Sequence, residues 1–184
     1  LASVCKKQNS YHLATKKYTQ AGDKLKAMKC LLKSGDTEKI TFFANVSRNR
    51  DIYILAANYL QNLDWHNTPE TMKAIILFYT KAKAYEQLSS FYDACAQVEI
   101  DEYREYDRAI AALKESERFL QKAKNTPAAT KAEKIAVLQQ RIVHIEQFAN
   151  AKRNIKSDPD ESVRVCNMLL QERDIERAIR VGDI

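Results

Sequence analysis

The sequence predicts an all-α fold of helical hairpins stacked as a solenoid, and three observations predict it. The 184 residues include only 3 Gly and 3 Pro, too few turn-formers for the many tight connections of a sandwich or barrel. Hydrophobic residues make up 45% of the chain and charged residues 29%, enough apolar material for a sizeable core. The few breakers stand where helices begin or end. Each proline follows a capping residue, at Thr68-Pro69, Thr126-Pro127 and Asp158-Pro159, positions where its missing N–H forfeits no hydrogen bond. Glu161 holds the reciprocal capping-box position of the last. Gly22, Gly35 and Gly182 each precede an aspartate, which reads as a left-handed stop followed by a new N-cap.

Between these marks apolar periodicity predicts helices over 1–8, 10–21, 24–34, 37–47, 50–63, 69–82, 84–98, 102–124, 127–156, 160–172 and 174–181. The runs Ile52-Tyr53-Ile54-Leu55-Ala56-Ala57 and Ala74-Ile75-Ile76-Leu77-Phe78-Tyr79 are apolar nearly all round, so they are expected to be inner helices sandwiched between neighbours. Leu1 opens inside a helical pattern, and Gly182-Asp183-Ile184 stops where another helix is due. The chain therefore reads as a fragment of a longer array. Residues 1–126 are expected to be helical repeats, and 127–184 a long helix followed by further repeat helices of the same solenoid.

The formal charge of +6 is local. Residues 1–35 hold eight lysines (Lys6, Lys7, Lys16, Lys17, Lys24, Lys26, Lys29 and Lys33) against Asp23 alone, whereas the remainder carries 22 basic and 23 acidic residues. A basic stripe along the whole chain is missing, as are RNA-reading aromatic motifs and a helix-turn-helix signature, so nucleic acid is the weaker reading of the charge. Lys16 and Lys17 mark its densest point and are expected to contact an acidic partner segment, against the plainer expectation of a solvated face. With no apolar run of about 18 residues and no charged-then-apolar leader, a cytosolic address is expected and membrane insertion is not.

Candidate chemistry is sparse. Cys5, Cys30, Cys95 and Cys166 lie far apart with no Cys-x-x-Cys pair, and each is expected to be a small buried hydrophobe. His12, His66 and His144 fall on different elements without metal-ligand spacing. One hairpin could bring Cys5 near His12, but geometric permission is not evidence of an active site, and a core cysteine and a surface histidine are the plainer expectation. The acidic stretch Glu99, Asp101, Glu102, Glu105 and Asp107 lacks the glycine loop of a calcium site and is interleaved with Arg104 and Arg108, which favours ion pairs at a helix start. Without a glycine-rich loop there is no phosphate cradle. No catalytic group, cofactor or metal is expected.

A spacing of 3, 4, 3 recurs along the chain. Tyr11, Ala14, Tyr18 and Ala21 show it first, then Thr37, Ile40, Ala44 and Ser47, then Tyr85, Leu88, Tyr92 and Cys95, and finally Tyr106, Ala109, Leu113 and Ser116. It places four residues on one helix face, small ones where helices cross closely and aromatic ones beside them, the grammar of tetratricopeptide repeats. Alternate helix starts at Ser10, Asp36, Thr68 and Asp101 are 26, 32 and 33 residues apart, close to the roughly 34 of that repeat. An RNA-reading helical repeat, the alternative, would show polar side chains at matched positions. Here Tyr11, Tyr85 and Tyr106, and Ala14, Leu88 and Ala109, are packing residues.

Three longer runs carry a more specific likeness: Tyr11 to Gly22 (YHLATKKYTQAG), Leu31 to Ala44 (LLKSGDTEKITFFA) and Phe91 to Tyr103 (FYDACAQVEIDEY). Through them the chain resembles the C-terminal tetratricopeptide region of the intraflagellar transport protein 140 family, most tightly from Tyr11 to Tyr106. The resemblance implies a non-enzymatic subunit of intraflagellar transport complex A. Such a subunit works at the cilium, the ciliary base and in the cytoplasm, in retrograde transport and in admitting membrane-protein cargo. It implies the other complex A subunits as partners and no catalytic motif. The β-propellers that precede the repeats in that family lie outside these residues.

The segment after Pro127 runs nearly 30 residues without a breaker, about 45 Å at 1.5 Å per residue. Ile135, Leu138, Ile142, Ile145 and Ala149 follow a coiled-coil seam spacing. Two arrangements satisfy it. Either the helix is an arm whose seam docks on another subunit, with Phe148 covering a second neighbour, or the seam packs on the preceding long helix.

Overall fold

The computed structural model describes residues 2–3, 10–124 and 126–171. They form α1 (Tyr11–Gln20), α2 (Lys24–Ser34), α3 (Thr37–Ser47), α4 (Arg50–Leu60), α5 (Pro69–Ala82), α6 (Tyr85–Val98), a π-helical turn (Glu99–Tyr103), α7 (Tyr106–Lys122), α8 (Ala128–Asn154) and α9 (Pro159–Gln171). No strand occurs among the described residues. This is the expected all-α, tetratricopeptide-like architecture of consecutive helical hairpins. Of the helix expected over 1–8 only residues 2 and 3 are described, both helical. The helix over 174–181, the Gly182 stop, Cys5, Lys6 and Lys7 lie outside the described residues.

Local chemistry sets most boundaries. Gly22 and Gly35 take φ of 78° and 72°, and the aspartate after each caps the next helix. Asp23 Oδ1 accepts from the Lys26 N–H at 3.0 Å and Asp36 Oδ1 from that of Lys39 at 3.1 Å. Three stops invisible to a glycine search are made by Arg48, Lys83 and Arg104, all at positive φ. Two expected starts move. Pro127 is the N-cap residue of α8 and Thr126 caps nothing. The acidic stretch first closes a π turn that ends at left-handed Arg104, so α7 starts at Tyr106, four residues later than its expected start. At α9 Asp158 Oδ1 accepts from the Glu161 N–H at 3.0 Å. Glu161 pairs with Arg164 at 2.7 Å, and that reciprocal capping-box bond is replaced by an ion pair.

The chain divides into two compact units, Leu1–Ala84 and Tyr85–Ile184. The division falls at Ala84, and 126/127, where the long helix was expected to begin, is a helix start inside the second unit. In the first unit α1 packs on α2 and α4 on α5. Ala14 and Cys30 are buried together with Tyr18 against them. Tyr53 and Phe78 stack at 5.7 Å, and the Tyr79 hydroxyl donates to Asn58 Oδ1 at 2.7 Å. Residues 52–57 are all buried or half-buried, as inner-helix residues should be. Leu77 on α5 departs from that expectation at 44% exposed.

In the second unit α6, α7, α8 and α9 pack in chain order. Phe119 lies between Tyr85 and Tyr92, with ring centroids 6.1 and 5.5 Å away. Ser89 and Ser116 satisfy one another where α6 meets α7: the Ser116 hydroxyl donates to the Ser89 carbonyl, and the two hydroxyls lie 2.9 Å apart. The core proper joins Ile100 and Ala109 to Leu113, Leu138, Ile142 and Ile145.

Candidate functional site

The residues expected to do something sort into core, rim and surface. Of the repeat-packing positions, Ala14, Leu88, Cys95, Tyr106, Ala109 and Leu113 are buried, and Tyr11, Tyr18, Tyr85 and Tyr92 are half-buried beside them. Ala21 is a correction: α1 ends at Gln20, so the residue leaves the helical face and is exposed. With Ala14, Leu88 and Ala109 fully enclosed, the positions at which an RNA-reading repeat needs polar side chains are occupied by core.

The seam of α8 takes the second of its two expected arrangements, which corrects the docking reading. Leu138, Ile142, Ile145 and Ala149 are buried in one cluster with α6 and α7 residues, and half-buried Ile135 packs against it. Phe148 belongs to the same cluster, its ring 4.9 Å from that of Tyr106. The helix is tied down rather than protruding. Lys134 pairs with Glu86 at 2.9 Å and Lys114 with Glu146 at 2.8 Å, while Arg141 binds Asp93 and, at 2.5 Å, Gln97 Oε1. A helix with apolar contacts and three cross-helix polar ties of this kind offers no free seam. Its outward face instead shows Val137 and Val143.

Burial governs the enclosed thiols and Glu99 among the described residues. Burial pushes the Cys95 thiol up to about 12, so it stays protonated and inert at neutral pH; Cys166 is pushed up for the same reason. Burial also raises the Glu99 carboxyl, which Arg108 partly offsets, and its Oε2 is enclosed without a hydrogen-bond partner. Lys134, hydrogen-bonded to Glu86, holds that carboxyl below the usual range. His66 faces Asp64 at 3.1 Å. Among the described residues no group of three or more His, Cys, Asp or Glu side chains is placed to hold a metal ion.

What remains available is surface relief. In the first unit a groove of about 290 Å³ runs between α1 and α3 over Leu31 of α2, bordered by Lys16 and the two phenylalanines Phe42 and Phe43. Lys17, the other half of the expected basic pair, is half-buried and directed to Gln20 at 3.4 Å. In the second unit a cleft of about 460 Å³ opens between α6, α7 and the start of α8, lined by Glu86, Ser90, Asp93, Thr130, Glu133 and Val137 among others. Neither relief could be read from one helix alone, because each needs residues from three. The concentration of lysine around Lys16 was the only sequence signal of the first, and the periodicity of α3 does not single out Phe42.

Comparison with known families follows the same division of the chain. Residues 1–78 match the model of the tetratricopeptide domain family shared by intraflagellar transport proteins 140 and 172. Residues 86–184 match that of the C-terminal tetratricopeptide domain of intraflagellar transport protein 140. The interval between the matches contains the border of the two compact units at Ala84. Because the second match alone spans more than half of the 184 residues, the chain belongs to the family of C-terminal tetratricopeptide domains of intraflagellar transport protein 140, a protein-interaction module of intraflagellar transport.

Proposed function

We propose that the chain is a non-enzymatic scaffold segment of an intraflagellar transport complex A subunit. It holds other subunits in fixed relation during retrograde ciliary transport and during admission of membrane-protein cargo, at the cilium, the ciliary base and in the cytoplasm. The observation that carries this reading is the match to two tetratricopeptide families of intraflagellar transport proteins along paired helices whose apolar stripes are spent on packing one another. A module of that kind acts through its outer surfaces. No described helix is long and apolar enough to cross a membrane, which fits cargo contact made through the complex.

Tagged chain expressed in ciliated cells tests the proposal. It should co-purify with complex A subunits and accumulate at the ciliary base. Recovery free of those subunits, with no ciliary enrichment, would contradict it.

A further inference from the structure

The groove beside Lys16 combines features that helix packing does not require. Leu31 is its buried floor, Phe43 is half-buried, and Phe42 stands 67% exposed at its edge. A phenylalanine so placed adds little to the core and leaves an aromatic face in water. Around this apolar floor the charged residues of the border are lysines. Lys16 and His12 lie one turn apart on α1, and Lys39 comes from α3. Asp36 holds Lys39 at 2.6 Å, whereas exposed Lys16 has no hydrogen-bond or ion-pair partner among the described residues. Among the described residues no acid lines the groove. The surrounding unit is basic as well, with 14 Lys and Arg against 6 Asp and Glu in residues 1–84, compared with 16 against 18 in residues 85–184.

We propose that this groove docks an acidic peptide segment carrying one large apolar side chain. That side chain seats on Leu31, Phe42 and Phe43, and the carboxylates flanking it face Lys16. The assignment rests on the scaffold reading above and adds the chemistry of the partner. A volume of about 290 Å³ is near the lower end for small-molecule sites and suits one or two side chains. Charge and shape divide the work: the basic border speeds and orients encounter with an acidic chain, while the aromatic floor supplies the desolvated anchor that holds it. Single-stranded nucleic acid also stacks on aromatics, but it draws its affinity from several phosphate contacts along a basic track. One open lysine beside an apolar floor is not such a track.

Fluorescence anisotropy on the full chain tests the proposal. The probe is a short synthetic peptide of Glu and Gly with a central Phe, compared with the same peptide carrying a central Ser and with poly(U) RNA. The Phe peptide should bind. The Ser peptide, Lys16→Glu and Phe42→Ser should each weaken binding by about tenfold or more, and Lys73→Glu, a reversal at an exposed position on α5 that does not line the groove, should leave it unchanged. Because Phe42 is exposed, Phe42→Ser should melt like wild type. Equal weakening by Lys16→Glu and Lys73→Glu would overturn the groove in favour of bulk charge. Poly(U) binding more tightly than the peptide and ignoring Phe42→Ser would overturn it in favour of nucleic acid. A chain that co-purifies with complex A subunits yet ignores the Phe peptide overturns the docking site alone. One that binds the peptide but recovers no complex A subunit overturns the complex A reading and leaves the groove standing.

Discussion

Ala14 has 0% of its surface exposed, enclosed with Cys30 and beside Tyr18 where α1 meets α2. A leucine there must push its extra carbons into a contact already filled, so Ala14→Leu should cost about 1 to 3 kcal/mol; an unchanged denaturation midpoint would show that α1 and α2 can part at no cost. Glu99 is the opposite case, a carboxylate the fold tolerates rather than uses. Burial raises its pKa in the folded state, so above that value the charged form weakens the fold, and the penalty shrinks as pH falls through it and vanishes below the unfolded value of about 4.3. Glu99→Gln should therefore melt higher than wild type at neutral pH, with the difference closing by about pH 4. A difference that persists at low pH would mean the side chain's shape, not its charge, is responsible. The two residues differ in how far the sequence announces them. The spacing of Tyr11, Ala14 and Tyr18 holds while a helix continues, which is why Ala14 is where the pattern puts it and Ala21, beyond the last turn, is not. Glu99 sits where α6 passes into a π turn, and a pattern with a period of 3.6 has no means of anticipating a change of period.

Among the elements α8 is the clearest test of packing against docking. Its 27 residues make it about 40 Å long, and both its length and its seam are visible in the sequence. Which surface the seam meets is not, because Ile145 shares its core cluster with Leu113 and Ile100, more than 30 residues away in the chain. The polar ties of Lys134 and Arg141 to α6 and of Glu146 to Lys114 of α7 are equally non-local. Substituting Ile142→Asp together with Ile145→Asp would bury two charges where the side chains are 6% and 0% exposed. Since truncating even one such residue to alanine costs about 2 to 5 kcal/mol, and a buried charge costs more, the double variant should lose its cooperative thermal transition. A variant that melts normally but no longer co-purifies with complex A subunits would instead restore the docking arm. Helix ends tell a similar story. Stops at Gly22 and Gly35 are legible from glycine's tolerance of positive φ, whereas Arg48, Lys83 and Arg104 adopt the same backbone without any residue signature.

At the scale of the whole molecule, the chain divides after Ala84 into two compact units, each matched by its own family. Hairpin fold and family were legible because helix punctuation and the long runs around Tyr11, Leu31 and Phe91 are properties of continuous sequence. The groove beside Lys16 was legible only as a concentration of lysine, since its apolar floor comes from α2 and α3. If each unit carries its own core, residues 1–84 and 85–184 expressed apart should each show helical circular dichroism and a cooperative melt; a half without a cooperative transition would mean that its core is completed by the other. The scaffold itself is tested most directly by cross-linking mass spectrometry on intact complex A. Exposed lysines on α1, α2 and α5, namely Lys16, Lys29, Lys33 and Lys73, should be joined to lysines of other subunits, with Lys16 linked to a segment rich in Asp and Glu. Cross-links from these four positions confined to the chain itself would contradict its role as a scaffold.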